Sequence, residues 1–265
     1  MGEIVFVGLG LHDEKGISLR GLEEVRTADS VFIELYTSLL PDFSTTRLER
    51  LGNQKINVVS RRDLEEKDGK IVLEAAKKGK AVFLVPGDPL IATTHVALRI
   101  EAEKHGLKTR IIHGASILSA AIGLSGLHSY KFGKSVTIPF KETPSETPNR
   151  VVAQNRKLGL HTLCLLDVRA EEDRYMSINE ALETLLATER KKKDQRITKK
   201  ILAVGIARAG SPNPAVKADS IEKLCIYDFG KPPHTLIFPG TLHFMEAEAL
   251  ISLAKAPKNI EKMVK

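Results

Sequence analysis

One acidic side chain stands in a loop of proline and glycine directly after a short apolar segment. Residues 82–85 read Val-Phe-Leu-Val, and the loop that follows begins Pro86-Gly87-Asp88-Pro89. The apolar run predicts a buried strand, which the proline and glycine end. Because ligands bind beyond the carboxyl ends of strands in open α/β sheets, Asp88 is a candidate binding residue. On this loop alone, a solvated turn carboxylate is the more common explanation.

A second loop of this kind follows the first predicted strand. It reads Gly8-Leu9-Gly10, but Asp13 stands where a dinucleotide-binding fingerprint has glycine or alanine. The loop therefore argues against a nicotinamide dehydrogenase. A ligand without phosphates and a plain tight turn both remain compatible with it.

The sequence contains no recognisable set of catalytic side chains. It has no GxSxG or GxxxxGK[ST] motif, and its eight histidines are scattered, so most are expected to be structural or surface residues. Cys164 and Cys225 lie in separate apolar runs without a CxxC neighbour, which predicts buried thiols and no metal site. A cofactor that carries the reactivity, while the protein orients the reactants, fits this pattern.

The elements that position these loops alternate between strand and helix in the first half of the chain. This alternation predicts a parallel sheet with helical crossovers. The predicted strands are 3–7, 30–35, 56–60, 80–85 and 108–113, and the predicted helices are 16–28, 64–78, 95–105 and 115–122.

The pattern changes after about residue 130 and predicts a second α/β domain. We place the N-terminal domain at 1–113, a connecting segment at 114–134 and the C-terminal domain at 135–265. The second half has predicted strands at 134–140, 161–168, 201–207 and 235–238, helices at 150–158, 178–188 and 244–253, and a loop at 141–149.

The composition bounds the classes of partner. The 265 residues are 42% hydrophobic with a net charge of +7, and no apolar run is long enough to span a membrane. We see no signal peptide and expect a cytoplasmic location. Much of the excess charge lies in Arg190-Lys191-Lys192-Lys193. Without tryptophan or interleaved aromatics, this run predicts a solvated helix end rather than a nucleic-acid surface.

Several sequence blocks resemble one family, the diphthine synthases, within the tetrapyrrole-methylase fold group of S-adenosylmethionine-dependent methyltransferases. The resemblance covers nearly the whole chain, and the short link between Val168 and Tyr175 is similar to the archaeal branch. The longest and most specific blocks are 87–95 and 126–133; the others are Gly8-Leu9-Gly10-Leu11, Tyr36-Thr37-Ser38, Gly159-Leu160-His161-Thr162-Leu163, Arg174-Tyr175-Met176-Ser177 and Pro233-His234.

The resemblance implies a fold and an activity. The fold is two α/β domains of the tetrapyrrole methylase type, with a mostly parallel N-terminal sheet, a mixed C-terminal sheet and a cofactor cleft between them. The activity is methylation, by S-adenosylmethionine, of the amino group of the 3-amino-3-carboxypropyl-histidine of translation elongation factor 2. The product is diphthine, and the enzyme is expected to be a homodimer.

The resemblance also implies which residues contact the cofactor, but it names no general base. Carried over position by position, the cofactor-binding residues are Leu11, Asp88, Ile91, Ser116, Ile117, Leu166, Ala209 and His234.

Two other readings stay open at this point. A methyltransferase of the same fold could act on a tetrapyrrole or on rRNA, and a non-enzymatic module could bind a translation factor through the same surface. One departure from the family concerns the loop at 143–149, which lacks the aromatic residue that the family often carries there. Its contacts with a protein substrate are therefore expected to differ.

Overall fold

The computed structural model describes residues 2–192 and 196–264, apart from the side chain of Lys192. Lys193, the last residue of the predicted basic run, lies outside the described residues. The chain divides into two compact units. The first unit comprises Met1–Ile117 and Ala170–Glu172, and the second comprises Leu118–Arg169 and Asp173–Lys265.

The first unit is built on a five-stranded sheet in which every described strand pair is parallel, as predicted. The strand order is β3-β2-β4-β1-β5. The strands are β1 (Glu3–Gly8), β2 (Ser30–Ile33), β3 (Ile56–Val58), β4 (Lys80–Val85) and β5 (Lys108–Ile112), and the helices are α1 (Leu19–Arg26), α2 (Thr45–Gly52), α3 (Lys70–Lys78) and α4 (Val96–Lys104).

The two central strands explain why this sheet forms. β1 and β4 are apolar and buried along most of their length, as expected for strands covered on both faces. Alternate residues point to opposite faces, so Phe6 and Phe83 meet edge to face at 5.9 Å in one core, whereas Val5 and Leu84 belong to the other.

Two helices of the first unit differ from prediction. Asp68 and Gly69 have left-handed backbone angles and break the predicted helix 64–78 into a π-helical turn (Arg62–Glu66) and α3. Helix α2 was not predicted. It begins at an N-cap, Ser44, whose hydroxyl accepts the N–H of Arg47.

The second unit contains the mixed sheet that the resemblance implied. Its order is β11-β10-β12-β7-β6, and the pairs are antiparallel except β6 with β7. The strands of this sheet are β6 (Val136–Ile138), β7 (Thr162–Leu166), β10 (Leu202–Ala207), β11 (Ala215–Ser220) and β12 (His234–Phe238). The strands β8 (Val168–Arg169) and β9 (Arg174–Tyr175) pair with each other in a separate antiparallel sheet. The helices are α5 (Ile117–Ser125, whose first residue belongs to the first unit), α6 (Thr147–Lys157), α7 (Ile178–Lys192), α8 (Ile221–Leu224) and α9 (Phe244–Ala254).

Here too the sequence missed some elements. β11 and α8 were not predicted, and α6 begins at Thr147 inside the predicted loop 141–149, because Pro148 is tolerated in the first turn of a helix. None of the helices in the described residues is both long and apolar enough to cross a membrane.

Candidate functional site

Three loops meet at the carboxyl edge of the first sheet, and glycines allow them to approach. The loop after β1 and the loop after β4 exchange two backbone hydrogen bonds, from Gly10 N to Gly87 O (3.1 Å) and from Gly87 N to Gly10 O (2.8 Å). A Cβ on Gly8 would lie 2.5 Å from the Gly87 oxygen and 2.6 Å from the nitrogen of Gly114, which follows β5. Only glycine therefore fits at Gly8, where the backbones are in direct contact.

Asp88 lies beside this glycine contact and is only 6% exposed. Its Oδ2 is 2.7 Å from Nδ1 of the exposed His113, and its Oδ1 accepts the N–H of Leu90 at 3.3 Å. A carboxylate has about four acceptor positions, so two contacts leave capacity for a ligand's hydroxyl or amino groups. Asp88 is thus more than a solvated turn residue.

Residues 86–95 form the loop that we term the Asp88 loop. Hydrogen bonds within this loop hold its shape. The Pro89 carbonyl accepts a hydrogen bond from Thr93 Oγ1 at 2.9 Å and lies 3.3 Å from His95 Nδ1. Ala92 has a left-handed φ of 57°, and Ile91 is 40% exposed. The loop therefore presents an apolar side chain two positions after the buried Asp88–Pro89 segment.

Five of the eight predicted cofactor residues belong to the first unit. Leu11 follows Gly10, and Ser116 and Ile117 lie at the start of α5. Since the N-terminus of a helix favours anions, the positions of Ser116 and Ile117 suit a carboxylate group. All five follow the carboxyl ends of β1, β4 or β5.

The other three predicted residues share one edge of the second sheet. His234 begins β12 and lies in register with Ala207 of β10, two residues before Ala209, while Leu166 ends the neighbouring strand β7. His234 Nδ1 accepts the N–H of Ile178 at 3.2 Å, and its Nε2 lies 3.2 Å from the carbonyl of Lys231. Since both ring nitrogens have protein partners, His234 offers a ligand its ring face or backbone.

A buried acidic residue that the sequence analysis missed follows β2. Glu34 is fully buried, and its Oε2 accepts the N–H groups of Tyr36 (2.9 Å) and Thr37 (3.0 Å). The Thr37 hydroxyl donates to Oε1. Burial raises the pKa of Glu34 to about 7. The available signal was a charged residue directly after an apolar strand, since carboxylates are seldom fully buried without partners.

The sequence block 126–133, one of the two most specific to the family, has a structural role in the second unit. The fully buried carboxylate of Glu246 accepts hydrogen bonds from the N–H of His128 (2.8 Å), from Lys131 Nζ and from His161 Nε2 (2.9 Å). This network fastens the block to the start of α9, because a buried carboxylate needs such donors.

One group of side chains in the described residues has the composition of a cation site. Single ligand atoms of His12, Asp13 and Asp42 lie within 4.8 Å of one another, but Asp42 is exposed. Exposed acidic groups of this kind are common without an ion, so the absence of a metal site stays a prediction.

Comparison with known proteins agrees with this architecture. The sequence profile of the family described as Tetrapyrrole (Corrin/Porphyrin) Methylases matches residues 3–225. A diphthine synthase from Methanosarcina acetivorans is 48% identical over 264 residues, which cover 97% of this chain and 98% of that protein. One from Archaeoglobus fulgidus is 47% identical over 262 residues, with 98% and 99% covered. A crystal structure of diphthine synthase superposes with a TM-score of 0.90 at 46% identity, covering 99% of this chain and 100% of that chain.

The fold and these matches define the class of protein, a methyltransferase of the tetrapyrrole methylase kind. Within that class, the chain belongs to the diphthine synthase family.

Proposed function

We infer that this protein is an S-adenosylmethionine-dependent methyltransferase that methylates the amino group of the 3-amino-3-carboxypropyl-histidine of elongation factor 2 and forms diphthine. The observation that carries this inference is 48% identity to a diphthine synthase over 97% of the chain. The glycine-lined edge around Asp88 supports it, because this is where an α/β sheet binds ligands.

The chemistry asks little of the protein beyond orientation and proton removal. S-adenosylmethionine, when bound, supplies a methyl group on a sulfonium. The accepting nitrogen must be a free amine, and an alkylamine has a pKa of about 10 in water. Transfer of the amine to a poorly hydrated site lowers that pKa and favours the nucleophilic form. Each methylation therefore releases one proton.

We propose that the cofactor contacts Leu11, Asp88, Ile91, Ser116, Ile117, Leu166, Ala209 and His234. Two features of the chain fit this group. Asp88 retains acceptor capacity for ribose hydroxyls or an amino group, and the glycines at 8, 87 and 114 bring the three loops into direct backbone contact next to it. The start of α5 suits the methionine carboxylate.

The role of Asp88 is tested by Asp88→Ala. We expect the Kd for S-adenosylhomocysteine, measured by calorimetry, to rise at least about ten-fold, because hydrogen bonds to a charged group contribute about 1.5–3 kcal/mol. Asp173→Asn is the matched control, since Asp173 is exposed and its left-handed φ of 49° suits asparagine. Unchanged binding in Asp88→Ala would remove Asp88 from the site.

The substrate is tested with elongation factor 2 that carries the unmethylated 3-amino-3-carboxypropyl-histidine. We expect incubation with S-adenosylmethionine to add successive methyl-sized mass steps to the histidine peptide. If no mass is added although the cofactor binds, the substrate is instead a tetrapyrrole or an RNA. An RNA substrate would show salt-dependent binding.

Further properties belong to the proposal. The protein acts as a homodimer, which light scattering would report as twice the chain mass of 29.2 kDa. It works in the cytoplasm of an archaeal cell, with neither a membrane nor a nucleic acid as partner. Its domains are 1–113 and 135–265, joined by 114–134.

A further inference from the structure

We propose that Glu34 and His95 are positioning residues for the cofactor: they fasten the Asp88 loop to the loop after β2 by one hydrogen bond, which forms only when a proton lies between them. This inference rests on the proposed role of the Asp88 loop in cofactor binding. It adds two residues and a pH dependence that the proposed reaction does not contain.

The Asp88 loop contributes a fixed imidazole. His95 is 2% exposed and packs edge to face against Phe83 of β4, with ring centroids 5.1 Å apart. Its Nδ1 faces the Pro89 carbonyl at 3.3 Å. Since a carbonyl only accepts hydrogen bonds, Nδ1 carries the hydrogen, and a neutral ring then has its lone pair on Nε2. The orientation of this ring thus fixes the carbonyl next to Asp88.

The loop after β2 contributes a fixed carboxyl group. Glu34 accepts hydrogen bonds from the backbone of Tyr36 and Thr37 and from the Thr37 hydroxyl, so it determines the shape of its own loop. β2 and β4 are neighbours in the sheet, with Ile33 in register with Leu84. The loops that follow them are therefore adjacent.

The two groups face each other across a gap that is too wide for a hydrogen bond. Glu34 Oε1 and His95 Nε2 are 3.9 Å apart, and Nε2 is buried without a hydrogen-bond partner among the described residues. Two lone pairs repel across such a gap. A carboxylic acid in place of the carboxylate would donate to Nε2 and bring the atoms to hydrogen-bond distance.

The proton belongs to Glu34 rather than to His95. Burial raises the pKa of Glu34 to about 7, and burial lowers the pKa of His95 to about 4. Below about pH 7 the carboxyl group therefore holds a proton that it can donate, while the imidazole stays neutral. Above that pH the carboxylate of Glu34 and the unprotonated Nε2 of His95 face each other with no proton between them.

Four other charged or titratable groups surround the pair. The guanidinium of Arg61 lies 5.1 Å above the ring of Tyr36 and pairs with Glu171 at 3.5 Å. Glu65 accepts the hydroxyl of Thr94 at 3.1 Å. Arg61 opposes protonation of Glu34, and Glu65 favours protonation of His95. Both effects are smaller than those of burial, which places the proton on Glu34.

The variant Glu34→Gln separates the hydrogen bond from the pH. Its amide oxygen can accept the two backbone N–H groups, and its amide nitrogen can donate to His95 Nε2 at every pH. We measure the Kd for S-adenosylhomocysteine at about pH 6 and about pH 8.5. Over this range we expect the Kd of the wild type to rise about five-fold more than the Kd of Glu34→Gln, because a five-fold change corresponds to the net contribution of one neutral hydrogen bond. The ligand's own amine titrates equally in both proteins and cancels from the comparison.

A spectroscopic measurement tests the bond directly. The ¹⁵N shift of His95 Nε2 should change as the pH rises through about 7 in the wild type and stay constant in Glu34→Gln. His105→Gln, at the exposed far end of α4, is the control and should keep the wild-type profile. The proposal would be overturned if Kd changed equally with pH in the wild type and in Glu34→Gln. It would also be overturned if the ¹⁵N shift of His95 showed the same pH dependence in both proteins. If S-adenosylhomocysteine binds at neither pH, the cofactor proposal fails. The ¹⁵N shift of His95 then still decides whether the hydrogen bond between Glu34 and His95 exists.

Discussion

The carboxylate of Glu246 accepts hydrogen bonds from a backbone N–H 118 positions earlier in the chain. Burial alone would raise its pKa, but the hydrogen bonds from the His243 N–H, Lys131, the His128 N–H and His161 together lower it to about 2. A single charge thus fastens the block 126–133 to α9.

Glu246→Gln should destabilise the protein by about 3 kcal/mol, because an amide replaces a fully buried carboxylate that accepts several hydrogen bonds, and the partly buried ammonium of Lys131 loses its counter-charge. Denaturant unfolding measures this loss. Glu248→Gln is the control, since Glu248 is exposed on the same helix and should change stability by less than about 0.5 kcal/mol.

The same residue sets a pH dependence. A carboxyl group whose pKa is lowered from 4.5 to about 2 on folding contributes stability above pH 4.5 and loses it as the pH falls toward 2. The wild type should therefore lose more stability than Glu246→Gln across this window. Equal losses in both proteins would mean that Glu246 is not held as a charge.

At the scale of single residues, the sequence singled out Asp88 but not the buried groups. Asp88 was selected because its loop follows an apolar strand, and the structure shows it to be buried; its role in binding stays a prediction. Glu34 was missed, because its only mark is one charge beside a strand, and its partners are backbone N–H groups that a sequence does not display. His95, like most of the histidines, was expected to be structural or at the surface. Its Nε2 is buried without a hydrogen bond and faces Glu34, and the sequence does not show that these two residues are neighbours in the fold.

Among the elements, the contact between the three glycine loops controls the shape of the carboxyl edge of the first sheet. A Cβ on Gly114 would lie 2.8 Å from the carbonyl carbon of Gly8 and closer still to the Gly87 oxygen. The neighbours are backbone atoms and cannot rotate away. The loops must therefore separate if this glycine is replaced.

Gly114→Ala should destabilise the protein by about 2 kcal/mol or more and weaken S-adenosylhomocysteine binding. Gly123→Ala is the matched change, since it lies in α5 with nothing within 4 Å of the added Cβ. It should stabilise the protein by up to about 1 kcal/mol, because alanine is the better helix former. Thermal unfolding and calorimetry of both variants provide the comparison, and equal effects would contradict the glycine contact.

Elements were predicted well where local sequence decided them. The bounds of β4 agree with prediction at both ends, because an apolar run stands between glycine and Pro86. Helix α2 was missed because only Leu48 and Gly52 of its eight residues are buried. Strand β11 was not predicted, because it is an edge strand that carries the charged residues Lys217 and Asp219. Its position depends on pairing with β10.

Considered whole, the molecule has separate hydrophobic cores. Leu182 is fully buried in the core of the second unit, whereas the core residues on the two faces of β1 and β4 belong to the first. Local stability in a protein follows such packing units.

Leu182→Ala should destabilise the second unit by about 2–5 kcal/mol through the cavity that it leaves. Hydrogen exchange should speed up for the amides of β7 and β12 and stay unchanged for those of β1 and β4. Leu253→Ala is the control, because that leucine is 56% exposed. Equal acceleration in all four strands would show that the two units unfold as one.

Tyr36 gives the molecule an internal optical probe. The chain has four tyrosines and no tryptophan, so its fluorescence excited near 280 nm arises from tyrosine alone. Tyr36 is 5% exposed, whereas Tyr130 is 79% exposed, and a soluble quencher therefore silences the second far more readily than the first. The emission that survives quenching comes from Tyr36 and from the partly buried Tyr175, and the variant Tyr175→Phe leaves Tyr36, beside His95, as the shielded reporter.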